Sequence, residues 1–195
     1  KWTVDGVAKQ DSVTLVEGSN TVSKSSTDSA GNVGSANIVV KLDTKLPVVA
    51  IQSPLTNSWT NKSKVLVKWT VDGVAKQDSV TLVEGANTVT KSAPDSAGNV
   101  GSASIVVKLD TKAPVVTYLA PAEGATLTAT PVVVRWAVDG VEQTSFSQAL
   151  SEGANTITET ATDSAGNVGT GVLRVTFTSV IPEVRIIAPV DGYQT

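Results

Sequence analysis

The 195-residue sequence predicts an all-β chain, a tandem array of small β-sandwich domains, and three observations carry that expectation. One segment recurs at a spacing of 67 or 68 residues: Trp2, Trp69 and Trp136 sit in KWTVDG, KWTVDG and RWAVDG, and DSAGNVG begins at Asp28, Asp95 and Asp163. EGSN, EGAN and EGAN begin at Glu17, Glu84 and Glu152. Val, Thr and Ile are abundant where helix formers are sparse, and many alternate with polar residues at period two, the mark of a strand with one buried face. Turn residues punctuate these runs every few positions, as hairpins require. A repeat of this length means similar modules joined end to end, a shape before it is a chemistry.

Pro47, Pro114 and Pro182 are equivalent, so complete copies span 44–110 and 111–178. Residues 1–43 are then the C-terminal part of an earlier copy, and 179–195 the first strand of a further one. On this reading the chain is a piece of a longer array. Residues 1–43 and 68–110 differ only at Ser19/Ala86, Ser23/Thr90, Ser26/Ala93, Thr27/Pro94 and Asn37/Ser104, whereas the third copy has diverged further.

Within the middle copy, Val65, Val67, Trp69 and Val71 alternate with Lys64, Leu66, Lys68 and Thr70, which predicts a strand. The tryptophans point with the valines by parity and are expected to supply much of the core. Asp72-Gly73 follows, a two-residue hairpin turn whose central residues need positive φ. A strand around 79–83 comes next, closed by Glu84-Gly85, and then one over 87–93. Ser96-Ala97-Gly98-Asn99 turns the chain, with Gly98 and Asn99 tolerating left-handed backbone. Ala103, Ile105, Val107 and Leu109 alternate in a further strand, and Val116 and Tyr118 pattern the first strand of the next copy. Six or seven short strands without a helix describe a β-sandwich.

Composition narrows the function classes. With no Cys and no His, disulfides, thiol chemistry and Cys- or His-based zinc sites are excluded. A net charge of −3 with interspersed signs argues against nucleic acid, which needs a concentrated basic face. No apolar run approaches the ~20 residues of a membrane span. Neither a phosphate-binding loop, a dinucleotide fingerprint nor a Gly-x-Ser-x-Gly turn is present, so no enzyme is expected.

The run from EGANTVT through DSAGNVGSASIVVKLDTKAPVV resembles the bacterial immunoglobulin-like tandem repeats of large extracellular surface proteins and adhesins. Copies in that family typically end in a phrase like "atDsaGN" and join through "DTxaP". The resemblance covers essentially the whole chain. It implies Ig-like sandwich modules, an extracellular or cell-surface location and no enzymatic activity, with no particular receptor. At this repeat length the modules are short for a fold usually of ~100 residues. So small a domain buries only about 60% of its unfolded surface, leaving neighbouring copies, a hard cation or an efficient core to stabilise it.

Several residues are candidates for more than packing. Asp43 and Asp110 stand in the junction phrases DTKLP and DTKAP, and the turn aspartates Asp28, Asp95 and Asp163 lie at the ends of neighbouring strands. Two or three such carboxylates with backbone carbonyls would suit Ca²⁺, which takes about six to eight oxygens; the alternative is that each Asp satisfies N–H groups of its own turn. Calcium at module boundaries is known in related arrays, and Thr178 replaces the linker Asp at the third junction. Trp59, in the polar loop Thr56-Asn57-Ser58-Trp59-Thr60-Asn61, is a candidate ligand-binding aromatic or a lid on the core. Lys24, Lys91 and Glu159 share one equivalent position on the apolar face. A bulge or twisted edge that frees the head group is the expected solution there, and a Lys–Asn isopeptide crosslink the sharper alternative, one that Glu159 cannot make.

Three functions follow. The first is a non-enzymatic stalk or spacer of a surface adhesin or fibre, with neighbouring repeats as partners and a surface glycan or protein as a further one. The second is a self-assembling filament subunit in which a C-terminal strand, patterned by Val184 and Ile186, completes the incomplete N-terminal domain of a neighbour. The third is a carbohydrate-binding module of a secreted enzyme, with Trp59, Phe146 and Tyr193 as its aromatics.

Overall fold

The computed structural model describes residues 1–180 and 183–185, and the regular elements among them are all β-strands. The first copy contributes β1 (Trp2–Val4), β2 (Val7–Lys9), β3 (Gly18–Thr27) and β4 (Val33–Leu42). The middle copy contributes β5 (Val49–Ser53), β6 (Ser58–Thr60), β7 (Lys64–Val71), β8 (Val74–Thr81), β9 (Gly85–Pro94) and β10 (Val100–Leu109). From the third come β11 (Val116–Ala120), β12 (Thr126–Leu127), β13 (Val132–Val138), β14 (Val141–Glu142), β15 (Phe146–Gln148), β16 (Gly153–Thr162) and β17 (Val168–Phe177). Contacts gather the chain into two compact units, Lys1–Ser58 with Lys64–Val107, and Trp59–Ser63 with the described residues from Lys108 onward.

In the middle copy the strands lie in two three-stranded sheets, ordered β5-β7-β8 and β6-β10-β9. The alternation read from the sequence is visible in β7 and β9, where Val67 and Val89 are buried between exposed neighbours, while in β10 the residues beside buried Val107 are half-buried. Asp72 and Gly73 take φ of 47° and 82°, so this two-residue turn folds the chain straight back on itself. Pairing therefore starts at Val71↔Val74 and runs unbroken to Lys64↔Thr81. The strand expected around 79–83 begins at Val74, because so tight a turn leaves no loop before it.

The first copy has the same two hairpins, and among the described residues no further strand pairs with them: β1-β2 and β3-β4 are each two-stranded. Lys1 is equivalent to Lys68, so residues 1–43 contain no counterpart of Lys64–Val67. Asp78–Thr81 pair with those four residues in the middle copy, and the equivalent Asp11–Thr14 accordingly form no strand.

The third copy packs sheets β11-β13-β14, with β15 also on β13, and β12-β17-β16, in which β12 runs parallel to β17. Both sheets feed one core of Val134, Ile157, Leu173 and Val175, flanked by Tyr118, Leu127, Phe146 and Leu150. The Tyr118 hydroxyl donates to the Ile157 carbonyl at 3.1 Å, and burial, with Glu159 nearby, raises its pKa. The chain is thus all-β, with several small packed sheets in a tandem arrangement. Among the described residues, no helix is long and apolar enough to cross a membrane.

Two expectations about this interior need correction. Trp69 and Trp136 lie on the valine strands but are only half-buried; the buried core is aliphatic, and Lys76 Nζ sits 5.4 Å from the Trp69 ring centre. The second concerns Lys24 and Lys91. No bulge releases Lys24: β3 and β4 stay in register through Lys24↔Ala36. Each ammonium instead meets a carboxylate, Lys24 with Asp11 and Lys91 with Asp78 at 2.7 Å, where the Lys91 side chain is only 11% exposed. The third copy changes both members together, with Glu159 for the lysine and Phe146, which faces Val134 as Asp78 faces Val67, for the aspartate. A buried charge without its partner is costly, which accounts for the paired change.

Candidate functional site

The linkers that open the middle and third copies are where candidate residues converge. Asp95 forms the turn that its phrase predicts: Oδ1 accepts from the N–H groups of Ala97 (2.8 Å) and Asn99 (2.9 Å), and Oδ2 from the Asn99 side-chain amide (2.9 Å). Asp28 and Asp163 make the same set with Ala30 and Asn32, and with Ala165 and Asn167. The Asn side chain and these N–H groups favour the carboxylate, so all three aspartates titrate below their ordinary range.

The same asparagines reach further. Asn99 Nδ2 also donates to the Asp43 backbone carbonyl at 3.0 Å, and Asn167 Nδ2 to that of Asp110 at 2.8 Å. Asp43 and Asp95 are thereby brought together, as are Asp110 and Asp163, each pair through one amide. The linker carboxylates cap their own turn, Asp43 to the Lys45 N–H (3.1 Å) and Asp110 to the Lys112 N–H (2.9 Å). Thr178 keeps that contact with its hydroxyl, which accepts from the Val180 N–H at 3.3 Å. Among the described residues, no three acidic side chains cluster as metal ligands would.

Three further contacts fix the linker, and the residues making them were read from sequence as turn or strand positions and not as candidate site residues. Glu17 accepts from the Thr44 N–H (3.2 Å) and hydroxyl (2.9 Å), which lowers the pKa of Glu17; Glu152 accepts likewise from the N–H and hydroxyl of Ser179 (3.1 and 3.0 Å). Val48 N–H donates to Asp72 Oδ1 at 2.8 Å while Asp72 N–H donates to the Val48 carbonyl at 2.9 Å; Val115 and Asp139 repeat this at 2.8 and 2.9 Å. Gly101 is buried against the Pro47 carbonyl so closely that a Cβ would stand 1.9 Å from its oxygen, and Gly169 meets Pro114 O at 1.8 Å on the same measure. The recurrence of EG, DTK and NVG at one spacing was the available signal; what each phrase touches was not in it.

Trp59 is not in a loop but on the short strand β6, where it is 44% exposed, with Lys108 Nζ 5.1 Å from its ring centre. A cation over a ring face is itself attractive and occupies part of the surface a sugar would use. Val184 is 86% exposed and outside any strand, while Ile186 and Tyr193 lie outside the described residues.

Against the first copy lies an open groove of about 1110 Å³, lined by Trp2, Val4, Leu15, Val22, Ile38 and Val40 among others. Ile38 is 62% exposed there. When the chain is compared with known proteins, no protein-family model and no curated sequence matches it.

Proposed function

We propose that this chain is a non-enzymatic structural array, a stalk or spacer segment of an extracellular surface protein of the bacterial Ig-like repeat kind. The observation that supports this reading most is the treatment of the linker Asp43–Pro47. Glu17 of the copy before it holds Thr44, and Asn99 and Gly101 of the copy after it hold Asp43 and Pro47. A connection held from both flanks fixes one module on the next, as a spacer needs and a freely hinged binding module does not. Near-identity of copies supports the same reading, since a spacer tolerates literal repetition while a single recognition site gains nothing from it.

A calcium ion at the Asp43 and Asp110 linkers belongs to this proposal, supported by the approach of each linker backbone to a turn carboxylate. Chelation would then lower the melting temperature, added Ca²⁺ would restore it, and Asp43→Asn with Asp110→Asn would abolish the difference.

The location is tested with antibodies raised against residues 1–195 and applied to intact source cells under the electron microscope. Labelling held at a fixed distance outside the envelope supports a stalk. Labelling that appears only after permeabilisation rejects it.

A further inference from the structure

Tension on a tandem array enters each copy at one linker and leaves it at the next, so the strands beside those two points decide how the copy resists. In the third copy the entry lies at the start of β17, where the Pro114 carbonyl abuts Gly169, and the exit follows the last residue of the same strand, Phe177. β17 is 10 residues long, so the two points stand roughly 30 Å apart along it. Beside its last residues runs β12, which the chain reaches soon after entry, and the two strands are parallel, Thr126↔Thr176 and Leu127↔Phe177. A pull that draws Pro114 and Thr178 apart therefore drags β12 backwards along β17. The hydrogen bonds between them are loaded sideways and all together.

These bonds are well formed. Gly124 N–H donates to the Arg174 carbonyl at 2.8 Å, Thr176 N–H to that of Ala125 at 2.9 Å, and Thr178 N–H to that of Leu127 at 2.9 Å. The Glu123 carboxylate accepts from the Arg174 N–H, also at 2.9 Å. β11 meets the load first but is less continuous, since its register against β13 shifts between Tyr118 and Ala120. The middle copy makes the same bonds with other residues. Asn57 N–H donates to the Val106 carbonyl at 2.6 Å, the Thr56 hydroxyl accepts from the Val106 N–H at 3.2 Å, and Asp110 N–H donates to the Thr60 carbonyl at 3.0 Å. Asn57 and Gly124 both take left-handed backbone, with φ of 62° and 75°. Yet PLTNSWT at 54–60 shares only its proline with PAEGATL at 121–127. The bonds recur where the side chains do not, so the backbone arrangement is what the two copies hold in common.

We propose that the β12–β17 patch is a mechanical clamp that keeps its copy folded under tension applied through the linkers. Bonds sheared side by side share the force, whereas a hairpin peeled from one end gives them up one after another. Forced unfolding follows the height of that barrier and not the equilibrium stability. The inference rests on the spacer reading, because only a tethered array is pulled from both sides. A stalk that transmits force gains from strands arranged in this way, and a module that only fills distance does not need them.

The chain contains no cysteine, so thiols introduced at exposed positions give unique handles for single-molecule force spectroscopy. Lys112→Cys with Val180→Cys pulls along β17. Ser151→Cys with Val180→Cys flanks the pair Gly153↔Phe177 and peels β16 from β17 at one end. In the full chain at one pulling speed, the first pair should unfold at a force roughly threefold above the second, with the same melting temperature for both. Glu123→Ala should lower the first force by roughly a quarter and leave the second unaltered. Equal forces in the two directions overturn the proposal. So does a first force indifferent to Glu123→Ala, which would place the load elsewhere. Neither result bears on where the array resides, which the antibody labelling decides by itself.

Discussion

Gly34 and Gly101 occupy the same place in identical NVGSA phrases of one chain, yet the structure gives them opposite surroundings. Consider Gly101→Ala. The added Cβ would lie 1.9 Å from the Pro47 oxygen and 2.9 Å from its carbonyl carbon, both backbone atoms that cannot rotate away. Ordinary contact begins near 3.4 Å, so the linker and β10 must part by about 1.5 Å. Overpacking of this kind costs about 1–3 kcal/mol, and displacing the linker also loses the Asn99 hydrogen bond, worth about 1 kcal/mol. The combined loss of about 2–4 kcal/mol lowers the melting temperature of a domain this size by roughly 10–25 °C. Gly34→Ala meets nothing, and in a strand it removes the entropy cost of glycine, so it should be neutral or stabilising by up to about 1 kcal/mol. Calorimetry of both variants reads the contrast directly. Equal shifts for the two would refute the reasoning that the proline carbonyl, rather than the strand, demands glycine.

Other expectations are more local. Asp28, Asp95, Asp163 and Glu17 titrate below their ordinary values in the folded chain, so their contribution is complete above about pH 4–5 and is lost as pH falls through the folded values; melting scans from pH 6 to 2 should show that loss, reduced in Asp95→Asn. Asp78→Ala leaves the Lys91 ammonium without its partner in a site only 11% exposed and should cost about 1–3 kcal/mol in urea unfolding, whereas Lys91→Met should cost less than about 1 kcal/mol or stabilise. Gly169→Ala repeats the Gly101→Ala loss in the other unit, since its Cβ would meet Pro114 O at 1.8 Å. Trp59→Ala forfeits the Lys108 contact, about 0.5–1 kcal/mol, and shifts melting by only a few degrees; a simultaneous loss of binding on glycan arrays would give β6 a recognition role.

The strands themselves were legible because period two and Asp-Gly are local signals. The burial of Val67 beside exposed Leu66 and the left-handed Asp72-Gly73 pair follow from six or seven neighbouring residues. What escaped was set by distant partners. Lys91 on an apolar face reads as an anomaly until Asp78, 13 residues away, is placed beside it. Gly101 reads as a strand glycine of no account until Pro47 arrives against it. The DSAGN turn was foreseen as a turn, but the second hydrogen bond of its asparagine crosses 56 residues, and no pattern within one copy announces it. Trp59 was misplaced in a loop because a three-residue strand is too short to show a period.

The near-identity of the first two hairpins bears on the order in which the chain is made. Synthesis delivers β5 before β7, when Trp2-Thr3-Val4 already presents the same residues as Trp69-Thr70-Val71. A nascent β5 therefore belongs to a residue pattern that the chain presents twice, and its own copy closes only once β7 has been made. Near-identical neighbours thus make the order of synthesis, and not the strand residues alone, part of how each copy finds its own partner.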